Sequence, residues 1–227
     1  MDMKLTEFSL WAFKLELSLA RKFTLFSRCV CAHFERHFDP IETDGVYRVV
    51  VKLCGPDERV GTTELSSSVI KYYKTFDFDY FEGLNIIAKK RFLLDALYSS
   101  LISLCDMEGW PKSPFHEAYE MVVRENFVNL YTIKRKLSRN KSMSAELVGS
   151  HDEEAFNCFI VIKDNDGKEL LNEHLFSEEP DEFLFNARIG DIRWGDKTTV
   201  RYQSKDKKEL GKVRTSIPRT KNENFSH

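Results

Sequence analysis

The sequence predicts an α+β chain, a single domain built mainly on antiparallel sheet with a central helical pair packed on it. Three observations carry that expectation. Apolar and polar residues alternate through residues 1–82, a helical apolar period takes over across 83–127, and alternation returns over 128–202. With 227 residues, 42% of them hydrophobic, the chain is long enough to bury roughly 70% of the surface it exposes when unfolded.

The elements follow in order. "WAFKLEL" (11–17) sets Trp11, Phe13, Leu15 and Leu17 against Lys14 and Glu16, the pattern of a half-buried strand. "KFTLFSRCVCAHF" (22–34) is rich in Thr, Phe and Val, which favour strands, and so reads as a strand with Cys29, Cys31 and His33 on one face. "VYRVVVKLC" (46–54) and "VIKYYKTFDFDY" (69–80) alternate in the same way, the second turning Asp77 and Asp79 outward between Phe76, Phe78 and Tyr80. Together these predict an antiparallel sheet with one wet face.

The period then changes. Ile86, Leu93, Leu97, Leu101 and Leu104 recur at helical spacing, interrupted by Lys90, with Asn85 placed to cap and Gly109 to stop the helix. A second helix begins at Ser113 and Pro114 and carries Phe115, Ala118, Tyr119 and Val122 on one stripe. Beyond residue 128, "LYTIKRKL", "FNCFIVIK", "ELLNEHLF", "EFLFNARI" and "TTVRYQ" read as strands, with "DNDG" (164–167) as a hairpin turn. Periodicity ends near Gln203, and residues 203–227, with seven Lys or Arg against three Asp or Glu, read as a basic, mobile tail. The net charge of the whole chain is −2, so the body is acidic.

Composition narrows the function classes. Five cysteines, an odd and scattered set, fit buried thiols better than a disulfide framework. No run of eighteen apolar residues predicts a membrane span, and Asp2, Glu7, Lys14 and Glu16 interrupt what a signal peptide would need to be apolar, so a cytoplasmic location is expected.

"RCVCAHFERHF" (28–38) gathers two cysteines and two histidines. As a helix it would align Cys29, His33 and His37, but Cys29 and His37 would stand about 12 Å apart along the axis, so only His33 and His37 could share an ion. Zinc would still need ligands from elsewhere, and no second cysteine pair supplies them. No metal and no cofactor are therefore expected. "HEAYE" (116–120) lacks the second histidine of a zinc-protease helix, and "IKDNDGKELLNE" (162–173) puts Ile162 at the first ligand position of a calcium loop.

Surface charge supplies the functional expectation. Asp77, Asp79 and Glu82 lie beside Phe81, and Glu178, Glu179, Asp181 and Glu182 surround Pro180. Carboxylates in a row gain nothing for folding and suit a basic protein partner, with Phe81 or Phe78 as the apolar anchor. "IKRKLSRNK" (133–141) has five basic residues but no interleaved aromatics for base stacking, so nucleic acid is not the expected partner. The reading is a non-enzymatic cytosolic protein-binding module, for example an immunity protein that neutralises a bacterial nuclease toxin. The alternative is a divergent metal-dependent nuclease using Asp181 and Asp191, with Arg193 where such sites carry lysine.

Overall fold

Three successive valines, Val49, Val50 and Val51, are all buried, which marks their strand as covered on both faces. The computed structural model, which describes residues 2–57, 59–205 and 209–214, places that strand at the centre of a partly parallel sheet. The chain opens with β1 (Asp2–Leu5), β2 (Glu7–Ala12), α1 (Leu17–His37), β3 (Ile41–Asp44) and β4 (Arg48–Cys54). It continues through β5 (Thr63–Ser66), β6 (Val69–Thr75), α2 (Phe78–Glu82), α3 (Ile86–Glu108) and α4 (Ser113–Arg124).

β4 lies between β2 and β6 and runs parallel to both, while β5 closes the edge antiparallel to β6. β1 and β3 form a separate antiparallel ribbon. The antiparallel expectation for the first eighty residues is thus corrected at the sheet's centre. Two parallel strands cannot be joined by a tight turn, so the chain between β2 and β4 must cross over. It does so as α1, and the strand expected over 22–34 is a helix. Phe23, Ser27, Val30 and Phe34 repeat at helical spacing and are buried on it, along with Cys29, Cys31 and His33. Crossover geometry outweighs the strand propensity of Thr, Phe and Val here. "WAFKLEL" likewise divides: β2 ends at Ala12, and Leu17, instead of facing inward, starts α1 fully exposed. The strand expected over 69–80 stops at Thr75, because the Asp77 side chain accepts from the Tyr80 amide and starts α2.

The helical pair stands as expected. Asn85 caps α3 by accepting from the Ala88 amide, and Gly109 ends it at φ 72°. α4 begins with Pro114 in its first turn, though Lys112 rather than Ser113 holds the cap position. α1, α3, α4 and the sheet close over one apolar core that includes Phe8, Phe34, Val51, Leu97 and Phe115. Phe8 meets Phe34 and Phe38 edge to face, with ring centroids 5.3 and 4.9 Å apart. Lys90, the interruption in the α3 stripe, is buried, and its ammonium lies 2.5 Å from Glu153 Oε2.

Contacts divide the chain into two compact units. Met1–Asn129 and His151–Ala155 form the first, so Glu153 belongs to the same unit as Lys90. Leu130–Ser150 and Phe156–His227 form the second. Its elements are β7 (Leu130–Leu137), β8 (Met143–His151, all but its last residue), β9 (Phe156–Asp164), β10 (Glu169–Glu178), α5 (Glu182–Arg188), β11 (Asp191–Trp194), β12 (Thr199–Gln203) and β13 (Glu209–Arg214). A four-stranded sheet in the order β10–β9–β8–β7 and a three-stranded antiparallel sheet β11–β12–β13 share a core that includes Leu147, Phe156, Ile160, Phe185 and Tyr202. "DNDG" is the β9–β10 turn: Asp164 accepts from the Asp166 and Lys168 amides, and Gly167 takes φ 80°.

Two expectations for this unit are corrected. "EFLFNARI" is the helix α5 rather than a strand, because Asp181 caps it by accepting from the Phe183 amide. Residues 209–214 of the expected tail pair with β12, while 206–208 and 215–227 lie outside the described residues. The class is α+β, antiparallel pairing predominates, and no described helix is long and apolar enough to cross a membrane.

Two measurements check these packing arguments. Lys90 lies 2.5 Å from Glu153 Oε2, which has no hydrogen bond among the described residues, so Glu153→Ala strands a buried ammonium and should cost about 3–5 kcal/mol in denaturant unfolding. The double variant Lys90→Met/Glu153→Ala should recover most of that loss; no recovery would show that the pair is not the reason. In the second unit, a Cβ on Gly190 would lie 1.7 Å from the Gln203 carbonyl oxygen. Gly190→Ala should therefore cost about 1–3 kcal/mol or more, whereas Gly55→Ala, with nothing within 4 Å, should be near neutral in the same melting experiment.

Candidate functional site

Among the described residues, histidines and a carboxylate converge at the C-terminal end of α1. Helical geometry sets His33 and His37 one turn apart on a single face, with ring centroids 5.3 Å apart. Pro40 follows two residues beyond the helix cap, Phe38, and Arg36 and His37 occupy the last turn, where positive charge complements the exposed carbonyls. The third member is Glu125, the C-cap residue of α4, whose Oε2 lies 2.6 Å from His33 Nε2 and 3.0 Å from His37 Nε2.

Glu125 is held in place by an unusual turn. The next two residues, Asn126 and Phe127, take φ of 50° and 60°. The left-handed region is tolerated by asparagine but strained for phenylalanine, at a cost on the order of 1–3 kcal/mol. Burial of the Phe127 ring offsets that strain, and the Asn126 and Phe127 amides donate back to the Val123 and Val122 carbonyls. The turn therefore fixes where the Glu125 backbone points.

Burial drives the His33 imidazole down to about 4, against the opposing hydrogen bond to Glu125. Burial acts to raise the Glu125 carboxyl, yet the hydrogen bonds from His33 and His37 hold it below the usual carboxylate range. A neutral imidazole thus faces an ionised carboxylate. Because that carboxylate only accepts, the short contacts place a proton on each Nε2 in this arrangement. Among the described residues, His33, His37 and Glu125 form a group whose three ligand atoms all lie within 4.8 Å of one another.

The anticipated acidic face has other duties. Asp77 caps α2, Phe81 is buried rather than exposed as an anchor, and Glu82 pairs with Lys89 at 3.0 Å. Phe78 packs against the first core, and Asp77, Asp79 and Glu82 are all exposed carboxylates there, Asp77 and Glu82 being those with the duties just named. In the second unit Glu178 pairs with Arg188 at 3.1 Å, Asp181 caps α5, Glu182 is half-buried and Glu179 is exposed. The aromatic residue among these acids is Phe183, which leaves 86% of its surface in solvent, with Leu184 exposed beside it. On the strand expected for "EFLFNARI" Phe183 and Phe185 would share a face, whereas on the helix Phe185 is buried and Phe183 exposed.

Asp181 and Asp191 belong to no such three-ligand group among the described residues. Asp191 has Lys134 at 3.6 Å and Arg193 at 3.7 Å. Burial acts to raise its carboxyl, but Lys134 and the Ile192 amide hold it low. The basic stretch 133–141 borders an open cleft of about 760 Å³ whose lining includes Lys136, Arg139, Arg193, Trp194 and Lys197. Trp194 supplies the aromatic that the stretch itself lacks, but its indole N–H donates to the Lys136 carbonyl, which ties the ring edge to the protein.

All five cysteines are buried thiols. Burial pushes Cys29 and Cys158 up to about 12 and Cys105 up to about 11, which leaves them poor nucleophiles. Comparison with protein-family models, with curated proteins and with solved structures gave no match.

Proposed function

We propose that the protein is a non-enzymatic protein-binding module whose acidic, aromatic-edged surface is the segment 178–184. The observation that carries this reading is Phe183: a phenylalanine 86% exposed, with Glu179 and Glu182 close to it in the sequence. Burying such a ring is worth about 1.5–3 kcal/mol, and the fold leaves that free energy unused. Aromatic side chains at the centre of an interface are typical binding anchors, and surrounding carboxylates favour a basic partner and speed its approach. The charge of the surface fits a basic protein such as a nuclease toxin, whose nucleic-acid cleft is positive, and an immunity protein is the concrete form of the proposal. Five buried thiols fit a cytoplasmic setting.

The surface lies in the second unit alone; Asp77, Asp79 and Glu82 are set aside as contact residues because α2 capping and the Lys89 pair account for two of them. Phe183→Ser should leave stability within about 0.5 kcal/mol, since the ring packs on little, yet weaken the partner by at least about 2 kcal/mol. Glu179→Lys/Glu182→Lys should chiefly slow association and reduce its salt dependence, while Asp77→Lys/Asp79→Lys should not affect the partner. The measurement is recovery of one basic protein by each variant across a salt series. Equal recovery by wild type and Phe183→Ser would sink the proposal.

A further inference from the structure

We infer that His33, His37 and Glu125 form a binding site for a zinc-type divalent metal ion. The site lies in the first unit and is independent of the proposed protein-binding surface. The sequence carried half of it: once residues 17–37 form α1, His33 and His37 stand one turn apart on one face, the spacing at which two imidazoles reach a single ion. The missing ligand comes from α4, across the helix packing, as the Glu125 carboxylate.

The donor set is specific in its chemistry. Two imidazole nitrogens and one carboxylate oxygen suit zinc and its first-row neighbours, whereas magnesium and calcium prefer oxygen alone. Tetrahedral zinc with bonds of roughly 2.0–2.2 Å requires ligand atoms about 3.3–3.5 Å apart. The Glu125 oxygen now sits 2.6 and 3.0 Å from the two nitrogens, so this partly exposed side chain must draw back by less than about 1 Å from each, and all three ligand atoms already lie within 4.8 Å of one another. His33 and His37 must then carry their ring protons on Nδ1, which leaves each Nε2 lone pair for the ion.

Accessibility is graded across the three. The His33 side chain is buried, that of His37 is 19% exposed and that of Glu125 is 38% exposed, so an ion can enter from the Glu125 side. Three protein ligands with one solvent-facing side is the count found in zinc sites that keep a position for water or a substrate group, rather than in closed four-ligand structural sites. The positive-φ turn at Asn126 and Phe127 fits this role, because it anchors the ligand-bearing residue without restricting its side chain.

The test uses the full chain, stripped with chelator and titrated with zinc chloride. One ion should bind per chain, and a roughly hundredfold excess over Kd should raise the melting temperature by about 5–10 °C. Magnesium chloride should produce no shift. His37→Gln and Glu125→Gln should each weaken zinc by more than about 100-fold, beyond the 10–100-fold that loss of an outer-shell partner costs. Cobalt(II) added to the wild type should give the visible absorption of a four-coordinate nitrogen and oxygen site, and zinc should abolish it; this readout stands even where a variant fails to fold. No zinc-dependent shift, an equal shift with magnesium, or undiminished zinc affinity in both variants would overturn the inference.

Discussion

The structure of the first unit depends on one topological constraint: β2 and β4 are parallel neighbours. Parallel pairing forces the intervening chain to leave the sheet, cross its face and return, and a helix is the usual means because it satisfies its own backbone hydrogen bonds on the way. α1 follows from this. Its inward side chains Phe23, Val30 and Phe34 and the sheet residues Phe8, Val49, Val51 and Leu53 then complete each other's burial. The helix is further tied to β2 through Glu35, which accepts from the Phe8 amide, and through Arg28, which donates to the Phe8 carbonyl and pairs with Glu35. These contacts cover the open backbone groups of a strand that has β4 on one side only.

The legible parts of the fold were those whose signals are local. α3 and α4 carry their own start and stop residues, Asn85, Gly109 and Pro114, so their reading from sequence needed no knowledge of the rest. α1 was misread because its residues favour strands, and what overrides them is a pairing between segments some forty residues apart. A partial signal was present: Val49–Val51 is an unbroken apolar run, which belongs to a parallel strand buried on both faces rather than to an alternating one. α5 was misread for a different reason. Phe183 and Phe185 alternate like a strand, but Asp181 is an N-cap and Glu182 a first-turn acid, and these are the stronger marks for so short a segment.

Carboxylates that look alike in sequence separate by what their backbone is doing. Asp77, Asp164 and Asp181 all accept from amides two to four residues ahead, so each is committed to a turn or a helix start. Such a residue is exposed and acidic yet has a folding role, which is why a count of acidic residues overstates a binding face. Exposure of an aromatic is more informative. Phe183, in the first turn of α5, gains little packing from its position, while Phe81, in the last turn of α2, is enclosed by Phe23, Phe26 and Phe76. The anchor of an acidic surface could not be identified until helix and strand had been told apart.

The same distinction governs the histidines. On a strand, His33 would have shared a face with Cys29 and Cys31, and His37 would have lain about 13 Å further along. On α1 the two imidazoles meet, and the packing of α1 against α4 brings them a carboxylate from 88 residues away. No spacing rule joins His37 to Glu125, so this ligand was invisible in the sequence. What fixes it is steric: α4 must end where Phe127 can enter the core, and the left-handed turn that accomplishes this leaves Glu125 facing α1. A cluster of this kind satisfies its hydrogen bonds without an ion, and the same atoms fit around one after a small outward movement. Hydrogen-bonded stability and metal affinity are therefore compatible demands on the three residues, and the buried, neutral His33 serves both.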